Sequence, residues 1–188
     1  MLCPYCLNDQ LQPAVEDPNA FLPDGIERRI SMWQFDKQGI IQHLLHGLKY
    51  SGMSALGEEL GYTAAKAHGI EPMLIIPVPL HPHRLRKRGY NQAKSIALGV
   101  ARASGGEVLA DGVIIRTRHT RTQTGFSLDQ RNENIRNAFE CTDPSQICDR
   151  EILLVDDVFT TGATLFELYK VCRQAGPARV TIFTLAQA

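Results

Sequence analysis

Residues Ile152 to Thr164 read Ile-Leu-Leu-Val-Asp-Asp-Val-Phe-Thr-Thr-Gly-Ala-Thr. Four apolar residues run into two adjacent carboxylates, Asp156 and Asp157, and a hydroxyl-rich turn follows. An ionised carboxylate only accepts hydrogen bonds, so the pair suits the hydroxyls of a sugar diol or a hydrated metal ion. Thr160, Thr161 and Thr164 offer hydroxyl donors, and Gly162 lets the backbone come close to phosphate oxygens. A helix opening at this turn adds roughly half a positive charge at the same spot. A ribose 5-phosphate group meets all of these demands. A Walker-type phosphate loop needs Gly-Lys-Ser/Thr, which is not what this turn carries.

A second segment bears cations. Pro77 and Pro79 flank Val78 and impose an extended backbone, and Arg84, Arg86, Lys87, Arg88 and Gly89 follow. The planar fork of arginine donates two parallel hydrogen bonds to a phosphate. The same residues also read as a solvated basic loop or as a patch for a nucleic-acid backbone. The chain as a whole has no net charge, yet from Arg84 to Arg136 eleven Lys and Arg face four Asp and Glu. That excess points to an anionic ligand at this part of the molecule. Lys49, at the end of a helical stretch, reads most simply as a residue that complements the helix C-terminus. The histidines do not cluster: His43 and His46 lie three apart, and His81 and His83 flank a proline in the basic segment, where they add to anion binding.

These groups need a scaffold, and the hydrophobic pattern supplies one. Strands are expected at 29–35, 73–78, 106–115, 151–155 and 180–185. Helices are expected from Asp36 with Ile40, Ile41, Leu44, Leu45 and Leu48 on one face, from a Ser54 cap to near Gly69, over 91–104, and over 164–175. Ser127 and Gln130 form a capping-box pattern for a further helix through Ile135. Strands that alternate with helices make the class α/β with a mainly parallel sheet flanked by helices. Residues 1–28 form a short irregular segment and 29–188 the domain proper. A chain of 188 residues with 44% apolar and 21% charged residues is an ordinary globular composition. No apolar run approaches the ~20 residues of a membrane span, and no secretory signal is visible, so a cytoplasmic protein without membrane insertion is expected.

Residues 152–164 resemble the ribose-phosphate signature of type I phosphoribosyltransferases, apolar(4)-acid-acid-x(3)-Thr-Gly-Gly/Ala-Thr, at every fixed position. Leu48-Lys49-Tyr50, the run from Ile76 to Gln92 and the run from Thr122 to Phe139 resemble the ComF family of competence-associated phosphoribosyltransferase-like proteins. Together these segments cover roughly residues 30–188. The resemblance implies a type I phosphoribosyltransferase-like fold that binds phosphoribosyl pyrophosphate with magnesium. It assigns Asp156, Asp157, Val158, Thr160, Thr161, Gly162, Ala163 and Thr164 to the ribose 5-phosphate, with the two aspartates as catalytic groups. Pro79, Leu80, Arg84, Arg86, Lys87, Arg88 and Gly89 would hold the pyrophosphate, and Arg118, Gln123, Arg131 and Asn134 would belong to a closing lid. The Lys49-Tyr50 pair would be part of the pocket.

Two functions follow from the resemblance. One is phosphoribosyl transfer to an acceptor that the sequence does not name, in competence, DNA uptake and utilisation. The other is a non-catalytic sensor of phosphoribosyl pyrophosphate, or a partner that handles single-stranded DNA in natural transformation. Competence proteins and single-stranded DNA are the partners implied, and a homodimer is compatible with either. Many ComF-like proteins carry a four-cysteine zinc ribbon at the N-terminus, whereas this chain has a single Cys3-Pro4-Tyr5-Cys6 knuckle. Zinc on Cys3 and Cys6 then requires distant cysteines or another chain. A shortened start that lost the first knuckle, or a vestige that binds nothing, are the other readings.

Overall fold

The computed structural model describes residues 11–15, 21–118 and 135–188. Along the chain lie β1 (Arg28–Gln34), α1 (Ile40–Tyr50), α2 (Ser54–Ala67), β2 (Leu74–Pro77), α3 (Pro82–Arg88), α4 (Gln92–Ser104) and β3 (Glu107–Val108). They are followed by β4 (Ile114–Arg116), β5 (Phe139–Cys141), β6 (Glu151–Phe159), α5 (Ala163–Gln174) and β7 (Arg179–Gln187). Five strands form one parallel sheet in the order β1-β7-β6-β2-β3. β4 and β5 pair antiparallel in a separate small sheet. The α/β class and the mainly parallel sheet are those expected from the sequence.

The apolar run of β6 is explained by its central place between β7 and β2, which leaves it covered on both faces. Ile152 and Leu154 join a core with Leu165, Leu168 and Cys172 of α5. Leu153 and Val155 point the other way, into a core with Ile41, Leu45 and Leu48 of α1, Leu60 of α2 and Ile96 of α4. Side chains alternate along a strand, so one sequence serves two cores. Truncating any of these fully buried leucines or isoleucines to alanine costs about 2–5 kcal/mol. α2 and α4 pack at backbone distance. A Cβ on Gly61 would stand 2.2 Å from the Ile96 carbonyl oxygen, and one on Gly99 would stand 1.9 Å from that of Glu58.

Several local expectations change. Residue 39, a glycine, caps α1 in place of Asp36, and Met53 precedes α2, so Ser54 is its first helical residue and makes no side-chain cap. The basic segment after Val78 is a helix, α3, because His81 accepts the His83 N–H and Pro82 sits at the first turn. The single strand expected over 106–115 is two, β3 and β4, in different sheets; Gly112 turns the chain between them at φ 91°. β6 runs to Phe159 rather than stopping at Val155, because β7 continues alongside it as far as Gln187. The carboxylate pair therefore lies inside a strand, not beyond its end. Residues 11–15 lie along β1, with Ala14 N–H donating to the Met32 carbonyl at 3.0 Å and Gln34 N–H to that of Gln12 at 2.8 Å.

Candidate functional site

At the carboxyl ends of β2 and β6 lies a cavity of about 360 Å³. This is where ligands bind in open parallel sheets. Its floor is Asp156, Asp157, Val158 and the turn Thr160 to Thr164, and its walls include Lys49, Tyr50, Val78, Leu80, Arg84, Arg88, Gln92 and Arg116. Gly162 caps α5 at φ 75°. A side chain there would be strained, and its Cβ would also lie 2.5 Å from the Phe166 ring, so only glycine fits. The Thr161 hydroxyl already accepts the Ala163 N–H at 3.4 Å, which shapes the turn ahead of the helix.

Strand alternation sends the two carboxylates to opposite sides of β6. Asp157 is 5% exposed and meets Lys49, whose Nζ stands 2.5 Å from Oδ2. The contact is an ion pair between a half-buried ammonium and a buried carboxylate. Burial is the largest single influence and lowers the affinity of Lys49 for its proton, but the charge and close contact of Asp157 together with the Asp156 charge outweigh it, and the ammonium pKa is raised overall. Asp156 is half-buried and faces the Arg116 side. Its Oδ1 accepts the Asp157 backbone N–H at 2.9 Å. Burial, then the neighbouring Asp157 charge, pushes its carboxyl well above the usual range; the backbone bond, Lys49 and Arg116 only partly offset this.

The cations come from three elements. Arg84 and Arg88 are one turn apart on α3 and face the cavity, while Arg86 and Lys87 are exposed and do not line it. Burial and then Arg88 lower the Arg84 pKa. Arg88 donates to Gln92, and its guanidinium carbon lies 5.6 Å from the Tyr50 ring centre. The Tyr90 hydroxyl bonds to the Leu48 carbonyl, and Asn91 Nδ2 to that of Val78 at 3.0 Å, so the α3–α4 junction is tied to α1 and β2. Arg116, at the end of β4, is 7% exposed, and burial lowers its pKa to about 10, with Arg84 adding to the effect and Asp156 opposing it.

All of the residues assigned to the ribose 5-phosphate line this cavity. Of the seven assigned to pyrophosphate, Leu80, Arg84 and Arg88 do so, and Pro79, Arg86, Lys87 and Gly89 do not. Arg118 is described and bonds to the Arg136 carbonyl at 2.7 Å, away from the cavity lining. Gln123, Arg131, Asn134, Cys3, Cys6 and the Ser127–Gln130 capping pattern lie outside the described residues. Among the described residues no group of three His, Cys, Asp or Glu could hold a metal ion. His81 and His83 do not line the cavity, and His46 stacks on Tyr50 at 4.7 Å. Lys49 is no mere helix cap, and Arg116 was not legible as a site residue. Its only sequence signal is an arginine that closes the apolar run Val113-Ile114-Ile115.

Known proteins share this sequence pattern. Competence protein F of Haemophilus influenzae is 38% identical over 127 residues, which cover 66% of this chain and 55% of that protein. DNA utilization protein YhgH of Shigella flexneri is 33% identical over 152 residues, 77% of this chain and 66% of that protein. Competence protein ComFC of Streptococcus pneumoniae is 25% identical over 190 residues, 98% of this chain and 80% of that protein. The chain belongs to the ComF family. It spans 55% and 66% of the length of the first two relatives. No protein-family model matches the chain. Among solved structures, glutamine phosphoribosylpyrophosphate amidotransferase from B. subtilis is 21% identical, with a TM-score of 0.48 over 68% of this ComF chain and 25% of that one. Among the described residues no helix is long and apolar enough to cross a membrane.

Proposed function

We propose that the cavity binds phosphoribosyl pyrophosphate with magnesium, in a protein that serves DNA uptake and utilisation. One observation carries the reading: a sugar-diol acceptor, a phosphate turn and a set of cations share one cavity of about 360 Å³. The turn from Thr160 to Thr164 and the N-terminus of α5 would hold the 5-phosphate. Arg84 and Arg88 would hold the pyrophosphate, with Lys49 and Arg116 adding charge from either side. Asp156 would accept the ribose hydroxyls, and Asp157 would orient Lys49.

The donor set fits magnesium. Asp156 is a carboxylate whose ionised form is disfavoured by burial and by Asp157, so a hydrated cation beside it restores the charge. Magnesium, when bound, supplies positive charge to the diol and pyrophosphate oxygens while keeping most of its own waters. An ionised Asp156 also stabilises positive charge that develops on the ribose as pyrophosphate leaves. The setting in DNA uptake is supported by relatives called competence and DNA utilization proteins. Free thiols at Cys141, Cys148 and Cys172 accord with work in the reducing cytoplasm.

Calorimetry with the Asp156→Asn, Asp157→Asn double variant tests the site. Loss of phosphoribosyl pyrophosphate binding with an unchanged circular dichroism spectrum is the expected result, and unchanged affinity removes the assignment. A screen of labelled phosphoribosyl pyrophosphate against candidate acceptors separates transfer from sensing. Magnesium-dependent pyrophosphate release supports the enzyme, and tight binding without turnover supports the sensor.

A further inference from the structure

Glu167 lies on α5, one turn beyond Thr164, and is 7% exposed. A carboxylate so buried is costly unless its oxygens are bonded. Its Oε1 accepts the backbone N–H of Asn137 at 2.6 Å, and its Oε2 takes Lys170 Nζ at 2.8 Å. Asn137 is held at φ 52°, in the left-handed region that few residues other than glycine and asparagine enter. The bond thus fixes a backbone conformation just ahead of β5, in the antiparallel β4–β5 pair.

The β4–β5 pair passes that constraint on to the cavity. The Ala138 carbonyl accepts the Thr117 N–H at 2.9 Å. Phe139 pairs with Arg116 across the two strands, and the Arg116 guanidinium lies 5.4 Å from its ring centre. Arg116 lines the cavity beside Asp156. One buried carboxylate therefore joins the helix that begins at the Thr160–Thr164 turn to the strand pair that carries a cavity arginine.

We propose that Glu167 is a positioning residue of the anion cavity, holding the β4–β5 strand pair and its Arg116 guanidinium against α5. Its effect on ligand affinity rests on the phosphoribosyl pyrophosphate reading; its effect on the placement of Arg116 does not.

The test pairs two readouts in the full chain. The Arg116 Nε–H signal in a nitrogen-15 spectrum, assigned by its loss in Arg116→Met, reports placement without ligand. Calorimetry with phosphoribosyl pyrophosphate and magnesium reports the consequence. Glu167→Ala should move the arginine signal and weaken binding about 10-fold, the scale of one lost bond to a charged group. Glu167→Gln should leave the signal in place and the affinity within about 2-fold, because its amide oxygen still accepts the Asn137 N–H. Adding Glu167→Ala to Arg116→Met should weaken binding no further, since both act through one group. An unmoved signal in Glu167→Ala, a glutamine variant that behaves like the alanine one, or fully additive losses would overturn the proposal. If the wild type binds no phosphoribosyl pyrophosphate, the function reading falls and the arginine signal still judges Glu167. If Glu167→Ala does not fold, a displaced arginine signal in folded Glu167→Gln overturns the proposal and an unshifted one sustains it.

Discussion

Asp156 and Asp157 are neighbours in the chain and occupy opposite sides of β6. On the α1 side, Asp157 is buried against Lys49 and spends its charge on that ammonium. On the Arg116 side, Asp156 accepts one backbone hydrogen bond and is pushed toward its neutral form. An acidic pair in a motif invites the view that both residues do the same work. Here one carboxylate is committed to a protein cation, and the other is the one to which the proposed function gives the ligand.

The largest effect that would break this contrast is in affinity. Asp156→Asn should weaken phosphoribosyl pyrophosphate binding about 100-fold by calorimetry, through loss of charge facing the diol and magnesium. Equal losses in Asp156→Asn and Asp157→Asn would show that the two sides are alike. Next comes stability: Asp157→Ala leaves the Lys49 ammonium half-buried without its carboxylate. The fold should lose about 2 kcal/mol in urea titration, less than for a fully buried pair because Lys49 keeps some contact with water. Adding Lys49→Met should restore much of that loss.

The α3 helix offers a parallel contrast. Arg84→Met should weaken ligand binding about 10-fold, whereas Arg86→Met with Lys87→Met should change it by less than about 2-fold, since neither lines the cavity. The smallest effect is on pH dependence. The Asp156 carboxyl is raised from its ordinary 3.8 to about 7. Between those values the folded state keeps a proton that the unfolded state sheds, so this group makes the ligand-free protein less stable as pH rises, and the full penalty is present above about pH 7. Asp156→Asn should remove that slope, so its stability relative to the wild type rises from pH 4 to pH 8. Wild-type and variant melting curves that stay parallel across this range would contradict the raised carboxyl.

What was legible in the sequence was contiguous. The turn from Thr160 to Thr164 could be read because strand, turn and helix start follow one another, and each residue's role is set by its immediate neighbours. The apolar stripes of α1, α4 and α5 followed from a period of 3.6 residues. The limits of β6 did not, because strand length depends on how far β7 runs beside it. Nor did the two basic faces of α3, since the segment had first to be helical for Arg84 and Arg88 to share one side.

By itself, then, the sequence determined the strand–turn–helix run through Thr160 to Thr164, the two-faced strands of the sheet and the ComF membership. Only the tertiary structure decided that Lys49 meets Asp157, that Arg116 lines the cavity from a separate small sheet, and that Glu167 accepts the Asn137 N–H beside that sheet. The physical reason is the same in each case. A local motif is specified by backbone geometry within a few residues. A charge partner on another element is specified by how whole layers pack, and that depends on both cores at once.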